Sequence, residues 1–260
     1  MSLTLIIPFL NEKKNLIKFF KDIRNYKLEK KFEIIFIDDG SSDDSFELVN
    51  KNKKLIKKCK IIKNKQNYGS HISMLIGLKF VKTNFFIFYY IDQEIDLNQI
   101  IPLYKISKTK KKTLILTRYS DREMNFYSRL FWKMFSVIYN IKYKNICSLL
   151  VNKSHFFKTK NIKIKNSSFI YLDLLKNINL SKTVEKKIVT KNRKIGQSNW
   201  TLFKKIKLLL NLFFFRSLNV KIFMYLISIL LVFKSFYFLL VLIVLECYFQ
   251  ISERKKIDFK

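Results

Sequence analysis

Short apolar runs alternate along the first half of the chain with stretches whose apolar positions recur every three or four residues, the pattern of buried strands interleaved with amphipathic helices. Residues 3–8, LTLIIP, form an apolar run closed by Pro8, as expected of a central parallel strand. Asn11 and Glu12 open a helical pattern, with Leu16, Phe19, Phe20 and Ile23, that extends to about Tyr26. A second strand is predicted over 32–37, then a lysine-rich helix from Ser45 to about Asn50 that Asp43 or Asp44 can cap. Residues 59–62, CKII, are a weak strand signal, since only Ile61 and Ile62 favour a strand strongly. Asn67 and Gly69 mark a turn, and Ser70 is expected to cap a helix carrying Met74, Leu75, Leu78 and Val81. A strand over 85–91, a helix over 97–107 and a strand over 113–117 complete the series. Strands and helices alternating at this spacing predict a doubly wound, mostly parallel α/β sheet.

Two of these strands end in acid. One runs into DDGSSDDS at 38–45, the other into IDQEID at 91–96. Ligands of open α/β sheets bind outside the carboxyl ends of the strands, where loops present polar groups that the sheet cannot. Gly40 allows the sharp turn there. Asp92 and Glu94 can share a hard divalent cation such as Mg2+ or Mn2+, which keeps waters and bridges substrate phosphates. Asp38 and Asp39 are better placed to hydrogen-bond a ribose or base. A metal at a diphosphate suits glycosyl or nucleotidyl transfer, because it neutralises the leaving charge. Read alone, DDGS is equally an ordinary strand–turn–helix junction.

Composition adjusts this picture. The 260 residues carry a formal charge of +32, which points to nucleic acid or an anionic membrane surface. The chain also has no alanine, four glycines and two prolines, and its lysines are spread over every predicted element, so the charge reads as a solvated coat and a nucleic-acid partner is not expected. Cys59, Cys147 and Cys247 are odd in number and far apart, which fits a reduced, cytoplasmic setting better than disulfides or zinc. No secretory signal is expected at the N-terminus. His71 reads as a helix-start residue and His155 as surface.

The ordered set PFLNE (Pro8, Asn11, Glu12), DDGSSDDS from Asp38, NYGS (Asn67, Gly69), the DxE of Asp92 and Glu94, TRYSDR (Arg118, Arg122) and RKIGQSNW (Arg193, Gly196, Ser198) resembles glycosyltransferase family 2. The likeness is strongest to its polyprenyl- and dolichol-phosphate branch. It implies a GT-A fold, a nucleoside diphosphate sugar as donor, a divalent cation and inversion at the anomeric carbon. Carried over, Pro8, Asn11, Glu12, Asp38, Asp39, Gly40, Ser41, Asn67 and Gly69 surround the donor nucleotide. Asp92 and Glu94 fall at the family's DxD, with a longer second carboxylate. Arg118 and Arg122 match arginines near the acceptor phosphate and diphosphate, a task that suits the planar guanidinium fork. Arg129 in an aromatic helical stretch over 127–140, together with Arg193 and Ser198, would lie on the acceptor side. Where relatives carry an acidic residue beyond that helix, this chain reads NICSLLVNKS, without a carboxylate. A lipid phosphate is already ionised and needs no base, so the absence favours a polyprenyl phosphate acceptor, or else an inactive protein.

The C-terminal part is different in kind. A GT-A domain is expected over 1–200, a juxtamembrane amphipathic segment over 201–217, a hydrophobic membrane segment over 218–250 and a basic tail over 251–260. A single tilted helix would bury Lys234 at mid-bilayer, at a cost of about 3 kcal/mol. A hairpin turning at Lys234 avoids this, and the basic residues on both flanks place both ends and the catalytic domain on the cytoplasmic side of the cell membrane. A core helix pair remains the alternative. Transfer to a growing surface glycan and a membrane scaffold without turnover also stay open, as does a homo-oligomer.

Overall fold

The computed structural model describes residues 2–92, 95–118, 146–156, 182–188, 240, 243–244 and 246–247, without the side chains of Arg118 and Phe156. The chain divides into two compact units, Met1–Gly196 and Gln197–Lys260. The first is built on seven strands: β1 (Leu3–Phe9), β2 (Glu33–Asp38), β3 (Lys58–Lys63), β4 (Phe85–Phe88), β5 (Thr113–Arg118), β6 (Ile146–Asn152) and β7 (Thr183–Ile188). Their order across the sheet is β3-β2-β1-β4-β6-β5-β7, with β6 alone antiparallel to its neighbours. The mostly parallel α/β reading is therefore correct for this unit. Strands β6 and β7 extend the sheet beyond the elements that the sequence pattern predicts.

Among the described residues four helices flank the sheet: α1 (Lys13–Asn25), α2 (Ser45–Asn52), α3 (Ser70–Lys79) and α4 (Leu97–Lys110). A one-turn helix, α5 (Lys153–Phe156), follows β6. On β1, alternation sends Leu3, Leu5, Ile7 and Phe9 to one face, where Leu16, Phe19, Phe20 and Ile23 of α1 meet them with α2 and α4 residues. Ile6 points to the other face and packs with Ile35, Ile37 and the α3 residues Met74 and Leu78. Helices on both faces make the sheet doubly wound. Gly77 lets α3 approach closely, since a Cβ there would lie 2.6 Å from Ile6 Cγ2 and 2.8 Å from Ile37 Cδ1.

Some boundaries differ from the sequence reading. β4 stops at Phe88 rather than 91: the Tyr89 N–H still reaches the Ile6 carbonyl at 2.9 Å, but the chain turns at 91–92, where the Tyr89 hydroxyl donates to the Ile95 carbonyl at 3.0 Å. Gly69, not Ser70, is the residue before α3, and its φ of 93° sets the entry angle. Asp44 precedes α2 without capping it and instead pairs with Lys13. His155, expected at the surface, is half-buried, with Nδ1 3.4 Å from the Thr113 hydroxyl.

Of the second unit, Leu240, Ile243, Val244, Glu246 and Cys247 are helical. Among the described residues no helix is long and apolar enough to cross a membrane. The expected amphipathic segment, hairpin and basic tail, apart from those five residues, lie outside the described residues, as does the aromatic stretch over 127–140.

Candidate active site

Parallel pairing of β2, β1 and β4 brings three strand ends to one edge of the sheet. The loop after β1 and the loop after β2 are laced together there. Asn11, held at φ 54°, accepts the backbone N–H groups of Ser42 at 2.8 Å and Asp43 at 3.3 Å, while its own N–H donates to Ser41 Oγ at 3.0 Å. Asn11 thus ties the loop just ahead of α2 to the loop after β1. The Glu12 N–H donates to Ser45 Oγ at 2.9 Å, and Asn15 Nδ2 donates to Glu12 Oε2 at 2.6 Å. Pro8 is buried opposite Ile37, a β1 position next to two parallel strands.

Asp38 and Asp39 are both buried, at 0% and 2% exposure, and they do different things. Asp39 is tied to the segment that follows β3. Its Oδ1 accepts from Asn64 Nδ2 at 3.0 Å, the Tyr68 N–H at 2.9 Å and the Ser73 hydroxyl at 2.9 Å; its Oδ2 accepts from the Gly69 N–H at 2.8 Å. Asn67 Oδ1 also accepts the Gly69 N–H, at 3.0 Å. The Asp38 carboxylate makes one bond, from the Ser41 N–H to its Oδ1 at 2.9 Å, and its Oδ2 is buried with no partner among the described residues. A buried acceptor left in that state costs about 1–3 kcal/mol, so a further donor at this position would stabilise it. Gly40, at φ 82°, turns tightly under the next loop: a Cβ there would lie 3.0 Å from the Asn67 nitrogen and from the Gln66 carbonyl carbon. At Gly69, by contrast, a Cβ would meet nothing within 4 Å, so the loop that Asp39 holds is open on that side.

Asp92 follows β4 in a turn at the same edge. Tyr89, fully buried beneath it, has its phenol pushed well above the usual range by burial, with Asp96, Asp22 and Asp92 adding to the effect. A Mg2+ or Mn2+ ion that takes most of its ligands from a diphosphate and water needs only one or two protein carboxylates, and Asp92 supplies such a hard oxygen. Among the described residues there is no cluster of three His, Cys, Asp or Glu side chains that could hold a metal by itself. Arg118 ends β5, which runs parallel to β4 through the intervening β6, so its backbone reaches the same edge. Glu94, Arg122, Arg129, Arg193 and Ser198 lie outside the described residues.

Asn64, Ser73, Ser45 and Tyr89 serve the site although the sequence reading did not single them out. Asn64 is the most telling: its N–H donates to the Asp38 carbonyl at 2.9 Å while its amide donates to both Asp39 and Ser73. An asparagine directly after a weak strand was the available signal. His71, with Nδ1 sealed from solvent, has its imidazole pushed down to about 4 by burial, so at neutral pH it is an uncharged packing residue. A cavity of about 520 Å³ between α2 and edge strand β3, lined by Phe46, Lys53, Cys59 and Lys63 among others, contains no carboxylate and is separate from this edge; burial raises the Cys59 thiol there to about 11, which leaves it unreactive.

The family model for glycosyl transferase family 2 matches residues 4–170. The chain belongs to this family. Its fold is the family's GT-A type, and similar solved structures span most of its length. Mannosyl-3-phosphoglycerate synthase from Rubrobacter xylanophilus has a TM-score of 0.58 at 11% identity, covering 81% of this chain and 71% of that one. Glucosyl-3-phosphoglycerate synthase from Mycobacterium tuberculosis, crystallised with Mn2+, UDP and glucosyl-3-phosphoglycerate, has a TM-score of 0.56 at 10% identity and covers 80% and 77%. S. aureus TarS 1-349 in complex with UDP-GlcNAc has a TM-score of 0.51 at 14% identity and covers 82% and 67%. In two further TarS 1-349 structures, one with UDP, the chain spans 38% of that chain's length. At such identities the likeness concerns the fold. No protein of curated function matches the sequence.

Proposed function

We propose that this chain is a membrane-anchored inverting glycosyltransferase that moves a sugar from a nucleoside diphosphate sugar to a polyprenyl phosphate on the cytoplasmic side of the cell membrane. The observation that carries the donor half is the partnerless buried oxygen of Asp38, at the strand edge where this fold receives its ligands. In this reading Asp38 Oδ2 takes a hydrogen bond from the base or ribose. Asp39 does not touch the nucleotide through Oδ1, which already has three donors; it holds the 64–73 segment as the pocket's second wall. Asp92, with Glu94, holds Mg2+ or Mn2+, which when bound offsets the charge developing on the departing diphosphate.

On the acceptor side, Arg118 orients the lipid phosphate, and the resemblance assigns Arg122, Arg129 and Arg193 to the same task. One phosphate oxygen attacks the anomeric carbon as the bond from that carbon to the nucleoside diphosphate breaks, so the nucleoside diphosphate leaves and the configuration inverts. No proton has to be removed from the nucleophile, and β6, ICSLLVN, carries no carboxylate to remove one. Support for membrane contact comes from the second unit, where Leu240, Ile243 and Val244 are 52%, 46% and 59% exposed at i, i+3 and i+4 of a helix. An apolar stripe of that kind suits lipid better than water.

The test is incubation of membranes holding the full chain with a panel of labelled nucleotide sugars, followed by separation of lipid-extractable from polymeric product. Chelator-sensitive label in the lipid fraction supports the reading. Label only in polymer assigns a glycan acceptor instead, and nucleotide binding with no product from any donor assigns a scaffold.

A further inference from the structure

We propose that Glu185 is a positioning residue for the acceptor side: its carboxylate holds the Thr117 hydroxyl and so fixes the end of β5 that carries Arg118. This rests on the reading of Arg118 as the ligand of the acceptor phosphate. Strand β7 pairs in parallel with β5, Glu185 opposite Ile115 and Ile188 opposite Arg118. Val184 and Ile188 turn into the larger core, which leaves Glu185 on the other face. Yet the bond Glu185 accepts comes not from its register partner but from Thr117, at 2.7 Å. Its side chain therefore leans two residues, about 6–7 Å, towards the carboxyl ends of the strands.

Two features give that bond a purpose. Thr117 is 1% exposed, so its hydroxyl needs an acceptor within the protein, and Glu185 supplies one. On its other side, β5 loses regular pairing at this point: the register with β6 shifts between Leu116 and Thr117. The register skips Cys147, so the extra residue lies on β6, and the last residues of β5, Thr117 and Arg118, lose regular support from that side. With the β6 side irregular, the Thr117–Glu185 bond is a lateral tie from the β7 side. Glu185 is also flanked by Lys186 and Lys187, yet none of the ion pairs among the described residues involves it; they are Lys13–Asp44 and Lys58–Glu33.

The experiment uses the full chain in detergent and measures binding of undecaprenyl phosphate in mixed micelles, with UDP binding and the melting temperature as internal references. R118A, E185A and T117V should each weaken lipid phosphate binding about tenfold and leave UDP affinity unchanged, while E185A, which strips the buried Thr117 hydroxyl of its acceptor, also lowers the melting temperature by a few degrees. E185Q should bind like the parent chain, because the amide carbonyl accepts the same bond. E185A combined with R118A should be no weaker than R118A alone. E185A binding normally while R118A is weak overturns the role of Glu185. E185Q as weak as E185A also overturns it, since that requires the charge itself, as a proton acceptor would. Lipid and UDP affinity falling together with the melting temperature reduces Glu185 to a fold-stabilising residue. R118A binding normally overturns the reading of Arg118, and this one with it.

Discussion

Neighbouring aspartates with different bonding give a sharp test of the donor site. In Asp39→Asn the amide oxygen can keep the place of Oδ1 and its three donors, which puts the NH2 group against the Gly69 N–H, now 2.8 Å from Oδ2. One charge-assisted bond is lost and a donor is left facing a donor, a cost of about 2–3 kcal/mol. For a chain of this size, about 2–4 °C per kcal/mol converts that to a melting temperature lower by roughly 4–12 °C. In Asp38→Asn the amide oxygen keeps the Ser41 N–H bond and the NH2 group replaces an oxygen that bonds nothing among the described residues. Stability should stay within about 1 kcal/mol of the parent. The nucleotide, however, would meet a donor where it needs an acceptor, and UDP affinity should fall roughly tenfold to a hundredfold. Thermal melts of the full chain and calorimetric titration with UDP, or with whichever nucleoside diphosphate the parent binds, read both quantities. If D38N melts as low as D39N, or binds the nucleotide like the parent, the division of labour between the two carboxylates is wrong.

Other consequences follow from single residues. Gly77→Ala would place a Cβ 2.6 Å from Ile6 Cγ2 and 2.8 Å from Ile37 Cδ1, so overpacking should cost about 1–3 kcal/mol in urea unfolding, with an unchanged denaturant slope. The folded-state imidazole of His71, lowered from 6.5 to about 4, stays unprotonated while the unfolded chain takes up a proton, so its contribution is complete above pH 6.5 and is lost as pH falls towards 4. That loss is up to about 3 kcal/mol, and His71→Gln should flatten the stability profile across the same interval. Gly40→Ala must hold a positive φ and press a methyl on the backbone of residues 66 and 67, so it should lose stability and nucleotide affinity together, unlike D38N. Asp92→Ala should abolish chelator-sensitive transfer, measured as labelled product with and without chelator beside the parent chain.

The central strands and the helices beside them could be read from sequence because their signals are unmixed. β1, β2 and β4 are buried on both faces and read as unbroken apolar runs, and α1 shows its buried residues at helical spacing. The sheet's far side could not be read the same way. β7 is an edge strand, TVEKKI, in which only Val184 and Ile188 signal a core, since lysines on an edge serve to discourage further pairing. β6 enters the middle of the sheet antiparallel, out of the sequential order that alternating strands and helices suggest. DDGS marked the turn after β2 but could not separate the bonding of its two acids. The donors to Asp39 come from residues 64–73, and no local pattern around 38–39 reveals that they converge there. Glu185 was hidden for a related reason: its partner, Thr117, is 68 residues away.

The most direct measurement of the proposed chemistry is 31P NMR of a mixture of the full chain, a nucleotide sugar, polyprenyl phosphate and Mg2+. The account predicts that the lipid's phosphate monoester signal converts to a phosphodiester while nucleoside diphosphate appears in equal amount, and that both changes stop with chelator and with D92A. Nucleoside diphosphate appearing beside an unchanged lipid monoester would contradict it.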